Sequence, residues 1–320
     1  MKLGVFTPLF QNLPLEKMLD HVAEMGLQAV ELGTGAWPGN AHCKPEELLK
    51  SHSKALDFRK SVEKRGLIIS GLSCHGNPLH PNQAIASDYD RIYRDTVRLA
   101  AEMEVPVVNL FAGCPGDSDQ SKYPNWVTCI WPPDFETILK WQWEEKVIPY
   151  WQEAGGFAAQ HGVKLAFEMH PGFVVYNPET LLRLRNAVGP VIGANYDPSH
   201  LFWQGIDPVA SIRALEGAIY HVHAKDTYID RANTAVNGVL DTKSYGDLAH
   251  RSWTFRTVGF GHDQLSWREL VSTLRLTGYD YVLSIEHEDP MLSVDEGFSK
   301  AVSFLKDVLL TEQPSAMWWA

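Results

Sequence analysis

The 320-residue chain has little cysteine, with only Cys43, Cys74, Cys114 and Cys129, and no two of them at CxxC spacing. A zinc ribbon is therefore excluded, and the four read as reduced thiols of a cytoplasmic protein. No apolar run approaches the roughly 18 residues of a membrane span, so no membrane partner is expected. Met1-Lys-Leu-Gly-Val-Phe enters a strand-like run directly, without the charged head and apolar core of a secretory leader. Positive charge is scarce: 28 Lys and Arg face 39 Asp and Glu, a net charge of −11. That balance opposes a phosphate backbone as partner, so no nucleic acid is expected. Low-complexity tracts are missing, as is a GxGxxG after the first strand, which removes the dinucleotide fingerprint. Hydrophobic content of 45% and charged content of 21% fit a folded globular chain.

What is present is an alternation of short apolar runs and helical patterns. Strands are expected over Lys2–Phe6, Leu27–Leu32, Leu67–Ser73, Val105–Phe111, Val163–Glu168, Val191–Tyr196, Ala218–Ala224 and Tyr281–Ile285. Helical periodicity falls between them: Pro14–Met25, Pro45–Lys64, Asp88–Glu104, Phe135–His161, Pro178–Val188, Pro208–Glu216, Ser266–Thr277 and Val294–Leu310. Within Phe135–His161, Pro149 and Gly155-Gly156 predict a kink or break. Eight strand–helix repeats predict an α/β fold, a single (β/α)8 TIM barrel spanning 1–320. Insertions are expected at about 113–134, after the fourth strand, and 225–263, after the seventh. In a barrel both overhang the catalytic face.

Four of these runs end alike: VKLAFEMH, VIGANYD, AIYHVHAKD and YVLSIEHED present Glu168, Asp197, His223 and Glu286. Strand ends of a closed barrel converge. Three carboxylates brought together would repel and raise one another's pKa unless a cation joined them. Oxygen donors plus one imidazole suit a single hard divalent cation. Each residue also has a plain structural role: Asp197 as a turn residue in Asp-Pro-Ser-His, Glu286 in a solvated acidic run, and either His221 or His223 as a core hydrogen-bonding residue. Other polar groups expected on the same face include His75, His170, Lys225, Arg256 and His262. Trp37, Trp126, Trp131, Trp203 and Trp253 fall in or beside strand-end loops, where they pin loops or stack on sugar rings. Trp141, Trp143 and Trp151 are expected to pack on a helix.

The Glu ending the fifth strand, DPSH after the sixth, HVHAKD at the seventh and SIEHED at the eighth resemble the xylose isomerase-like TIM barrel superfamily. The nearest branch is that of the sugar phosphate isomerases and epimerases. The resemblance implies one divalent metal ion, Mn²⁺ first, with Mg²⁺, Co²⁺ or Zn²⁺ as alternatives. It implies Glu168, Asp197, His223 and Glu286 as ligands, Glu168 and Glu286 as the proton-transfer pair, and His200 on a substrate hydroxyl. His221 is left to packing or to support of the ligands. The related endonucleases use additional zinc-binding histidines on the third and fourth strands. Here Asn109 and Phe111 stand where one is needed. The function implied is a metal-dependent isomerase or epimerase acting on a ketose, keto-sugar or polyol ketone through a metal-stabilised enediolate. The alternatives are a lyase using the same enediolate, such as an inosose dehydratase or a 3-keto-glycoside deglycosidase, and a non-catalytic sugar-binding subunit. A homo-oligomer is expected, since barrels of this kind commonly associate.

Overall fold

A computed structural model describes residues 1–319. Eight parallel strands close a barrel: β1 (Lys2–Phe6), β2 (Ala29–Gly33), β3 (Ile68–Ser73), β4 (Val107–Leu110), β5 (Lys164–Glu168), β6 (Ile192–Tyr196), β7 (Ile219–Ala224) and β10 (Val282–Ile285). In the ring β10 lies between β7 and β1, so β5, β6, β7 and β10 are consecutive staves. Their register sets Glu168 beside Asn195, Asn195 beside His221, and His223 beside Ser284.

The expected break in Phe135–His161 takes another form. Helix runs from Pro133 to Trp141 and again from Ile148 to Gln160, joined by a wider π-type turn over Gln142–Val147. Pro149 cannot donate to a preceding carbonyl, and the loosened turn lies just ahead of it. Gly155 sits within the helix, where a Cβ would come 2.8 Å from Val188. It serves close packing rather than a break. The expected Pro45–Lys64 helix is two pieces, Pro45–Leu48 and His52–Glu63, because Ser51 caps a new start by accepting from the Lys54 amide. The helix expected from Asp88 begins earlier, at Gln83, capped by Asn82. Asn177 and Thr180 form a reciprocal capping box around Pro178 and fix where the helix after β5 starts.

The excursion after β7 is itself folded. Strand β8 (Asp226–Ile229) pairs antiparallel with β9 (Trp253–Arg256), Asp226 opposite Arg256. Trp203 stacks on Trp253, ring centroids 4.6 Å apart and 5° from parallel, which ties this ribbon to the loop after β6. Both indoles are buried, so here tryptophan pins a loop. Trp143 and Trp151 are buried in the helical shell, the latter donating from Nε1 to Ala112 O at 2.9 Å. All four cysteines are free thiols. Among the described residues, no helix is long and apolar enough to cross a membrane.

Candidate active site at the barrel mouth

The carboxyl ends of β5, β6, β7 and β10 supply Glu168, Asp197, His223 and Glu286, with one donor atom from each lying within 4.8 Å of all the others. His223 is the hub. Its Nδ1 lies 3.0 Å from Glu286 Oε2 and 3.3 Å from Glu168 Oε2. His200 Nε2 donates to Glu168 Oε1 at 3.0 Å. His75 Nε2 approaches Glu168 Oε2 to 3.0 Å, off the line of a hydrogen bond. Lys225 Nζ reaches Glu286 at 2.8 Å, Asp197 at 3.1 Å and Glu288 at 3.1 Å.

Burial opposes charge on Glu168, but the hydrogen bond from His200 and the close approach of His223 and His75 overcome it and hold the carboxyl well below the usual range. Glu286 is held at about 2, its burial outweighed by Lys225 and His223. Burial likewise disfavours the Lys225 ammonium, yet Asp197, Glu286 and Glu288 keep it firmly charged. His170, beside His200 with ring centroids 4.1 Å apart, is pushed down to about 3 by burial and by the His200 charge.

Three carboxylates and an imidazole form the donor set of a hard divalent cation. Asp197 Oδ2 is buried and makes no hydrogen bond, with Lys225 Nζ 3.1 Å and His200 Nε2 3.3 Å away as charge neighbours only. A buried carboxylate oxygen that attracts positive charge yet lacks a hydrogen bond fits a cation ligand.

Above the cluster opens a cavity of about 620 Å³, lined by Glu168, Glu286, His75, His170, Phe6, Trp37, Phe111 and Phe173 among others. Phe111 and Phe173 stack at 4.3 Å, and Trp37 leans on both from the rim, 57% exposed. Ala36, just before it, holds a φ of 57°, a left-handed conformation that a residue with a Cβ rarely adopts.

Of the groups expected to touch substrate, His75 and His170 line this cavity, while His200 and Lys225 are buried beneath it against Glu168, Asp197 and Glu286. Arg256 and His262 neither line the cavity nor touch those carboxylates. Arg256 Nε donates to Asp289 Oδ2 at 3.0 Å, bracing the ribbon against the loop after β10. The His262 ring stacks on Phe202 and bonds Asp226 Oδ1 at 2.7 Å. The same Asp226 carboxylate accepts from the Gly259, Gly261 and His262 amides and so holds the return of the excursion. His221 lies one layer lower, bonded to Asn195 and Ser70.

Glu31 was not singled out by sequence reasoning. It stands on β2, fully buried, with His223 Nε2 2.9 Å from its Oε2. The signal was a carboxylate inside the otherwise apolar run Ala29-Val-Glu-Leu-Gly, where burial demands partners.

A protein of Bacillus subtilis, YfiH, itself uncharacterized, is 42% identical over 312 residues, covering 97% of this chain and 99% of its own. Three solved structures share the fold at low identity. They are the probable 3-DHS dehydratase AsbF of Bacillus anthracis (TM-score 0.67, 19% identity, 96% of this chain and 99% of that one), the zinc-bound IolI protein (0.65, 19%, 97% and 98%) and a D-psicose 3-epimerase with D-fructose (0.62, 14%, 97% and 99%). The xylose isomerase-like TIM barrel family matches residues 19–308. With the closed parallel barrel and its strand-end cluster, that match makes the chain a member of the xylose isomerase-like TIM barrel family.

Proposed function

We propose that the protein is a divalent-cation-dependent isomerase or epimerase of a ketose, keto-sugar or polyol ketone. The observation that carries this reading is that Glu168 and Glu286 both approach His223 Nδ1, at 3.3 and 3.0 Å, and both line one cavity. Glu168, Asp197, His223 and Glu286 would hold the ion, with Mn²⁺, Mg²⁺, Co²⁺ and Zn²⁺ all compatible with such donors. A cation bound there supplies Lewis-acid stabilisation of negative charge developing on substrate oxygen.

The chain's own residues do the rest. Glu168, held ionised by its histidines, is ready to accept a proton from the carbon next to a ketone. Returning a proton on the opposite face inverts that carbon, and this needs a proton at Glu286. Lys225 Nζ, 2.8 Å from Glu286, is the adjacent group that carries one. Return to the neighbouring carbon gives isomerisation instead. His200 and His75, both beside Glu168, orient its carboxylate and offer nitrogens to substrate hydroxyls. The Phe111–Phe173 wall excludes water from one flank.

A lyase is the second reading, favoured by Lys225 as a proton donor to a leaving group β to the ketone and by the dehydratase among the structures of like fold. Incubating metal-loaded protein with ketoses, inososes and 3-keto-glycosides in D₂O tests both. Deuterium entering the carbon beside the ketone supports proton transfer, and release of water or an aglycone marks the lyase. Binding without exchange or release across the panel overturns both.

A further inference from the structure

One ring separates Glu31 from the mouth. His223 turns Nε2 toward the barrel interior, 3.0 and 2.9 Å from the two Glu31 oxygens. Its Nδ1 points the other way, toward Glu286 and Glu168. Glu31 is engaged on every side. Oε1 accepts from Ser73 Oγ at 2.5 Å and Asn109 Nδ2 at 2.8 Å, and Oε2 from Ser284 Oγ at 2.7 Å. Those partners come from β3, β4 and β10, so the carboxylate is fixed in place by three staves.

An ionised carboxylate accepts and cannot donate. Nε2 must therefore keep its proton, so that when a cation enters, the proton given up is the one Nδ1 shares with Glu286 and Glu168, and Nδ1 becomes the nitrogen whose lone pair the cation can use. From this we infer that Glu31 is a positioning residue for the mouth cluster: it fixes the His223 ring and keeps its proton on Nε2, so that Nδ1 is the atom offered as ligand. The inference rests on reading Glu168, Asp197, His223 and Glu286 as a cation site.

An amide at position 31 breaks the arrangement in a definite way. Glutamine has one acceptor oxygen and one donor nitrogen in place of two acceptor oxygens. Ser73, Asn109, Ser284 and His223 cannot then all donate to it. If its nitrogen faces His223, Nε2 must accept, and the ring proton moves to Nδ1, where it blocks the ligand position. If its oxygen faces His223, the nitrogen confronts the donors from β3 and β4.

Two measurements test this. Calorimetric titration of Mn²⁺ into wild type and Glu31→Gln should show affinity falling about 10- to 100-fold in the variant, the usual cost of losing a carboxylate behind a ligating histidine. The ¹⁵N spectrum of histidine-labelled, Zn²⁺-loaded wild type should show His223 with a proton on Nε2 and none on Nδ1. Unchanged Mn²⁺ affinity in Glu31→Gln overturns the inference alone, as does a Zn²⁺-loaded His223 protonated at Nδ1. The spectrum needs no variant, so it decides the matter even where Glu31→Gln does not fold. Wild type that takes up neither Mn²⁺ nor Zn²⁺ overturns the cation reading and this inference together.

Discussion

Lys225 Nζ lies 2.8 Å from Glu286 Oε2, an ion pair whose side chains are 2% and 14% exposed. Breaking such a pair by removing one partner leaves an uncompensated charge and costs about 3–5 kcal/mol. Lys225→Met should lose stability on that scale in chelator, as read from urea denaturation. A divalent cation would restore positive charge beside Asp197 and Glu286, so Mn²⁺ should stabilise Lys225→Met more than wild type. Equal stabilisation of the two would show that Lys225 and the cation answer to different carboxylates.

Glu286→Gln keeps the shape of the mouth and removes a proton carrier. Loss of a positioned acid or base typically costs about 10²–10⁴ in rate. Solvent deuterium exchange into a ketone substrate should fall on that scale in the metal-saturated variant, and the urea midpoint should fall as well, because Lys225 loses its 2.8 Å partner. Full exchange in the variant would take Glu286 out of the proton path.

Removal of metal should be visible without any substrate. A ligand that binds only the folded chain at about 100 times its Kd adds roughly 2.7 kcal/mol. Denaturation in EDTA should therefore show a lower midpoint than in excess Mn²⁺, and Asp197→Asn should abolish most of the difference. A midpoint indifferent to Mn²⁺ in wild type would count against the site.

The pH dependence has a definite sign. Burial holds His221 neutral, with its pKa lowered from 6.5 to about 4. The unfolded chain takes up this proton first, so stability is lost as pH falls from 6.5 toward 4. For His223, burial works against charge but Glu31 and Glu286 outweigh it and raise the pKa, so its contribution is already complete below 6.5. Glu286, lowered from 4.5 to about 2, adds a loss only below 4.5. His170, pushed down to about 3 by burial and by His200, adds a loss of stability over the same range, so urea midpoints of metal-free protein between pH 7 and 5 should fall and His221→Gln should reduce the slope without abolishing it. An unchanged slope would place the acid sensitivity elsewhere.

The barrel was legible because its repeats are regular: apolar runs alternate with helical patterns, and four of those runs end in a carboxylate or histidine where the strand leaves the ring. The same regularity marked residues 168, 197, 223 and 286, since each sits at or next to a strand end. Arg256 and His262 were misplaced because their partners, Asp289 and Asp226, are remote in the chain and meet them only once the excursion folds. Glu31 was passed over for the opposite reason. It lies inside a run rather than at its end, and its partners come from other staves. The helix after the fourth strand absorbed its proline by widening a turn, a response that residue spacing does not encode.

The star of hydrogen bonds around Glu31 has a bearing on how the molecule is made. Its contacts with His223 and Ser284 span 192 and 253 positions of sequence. Burial of this anion is compensated only when the late staves supply His223 and Ser284, so the early strands alone lack the partners that its burial demands. Synthesis is vectorial, so ring closure by the last stave is also the step that brings Glu168, Asp197, His223 and Glu286 together.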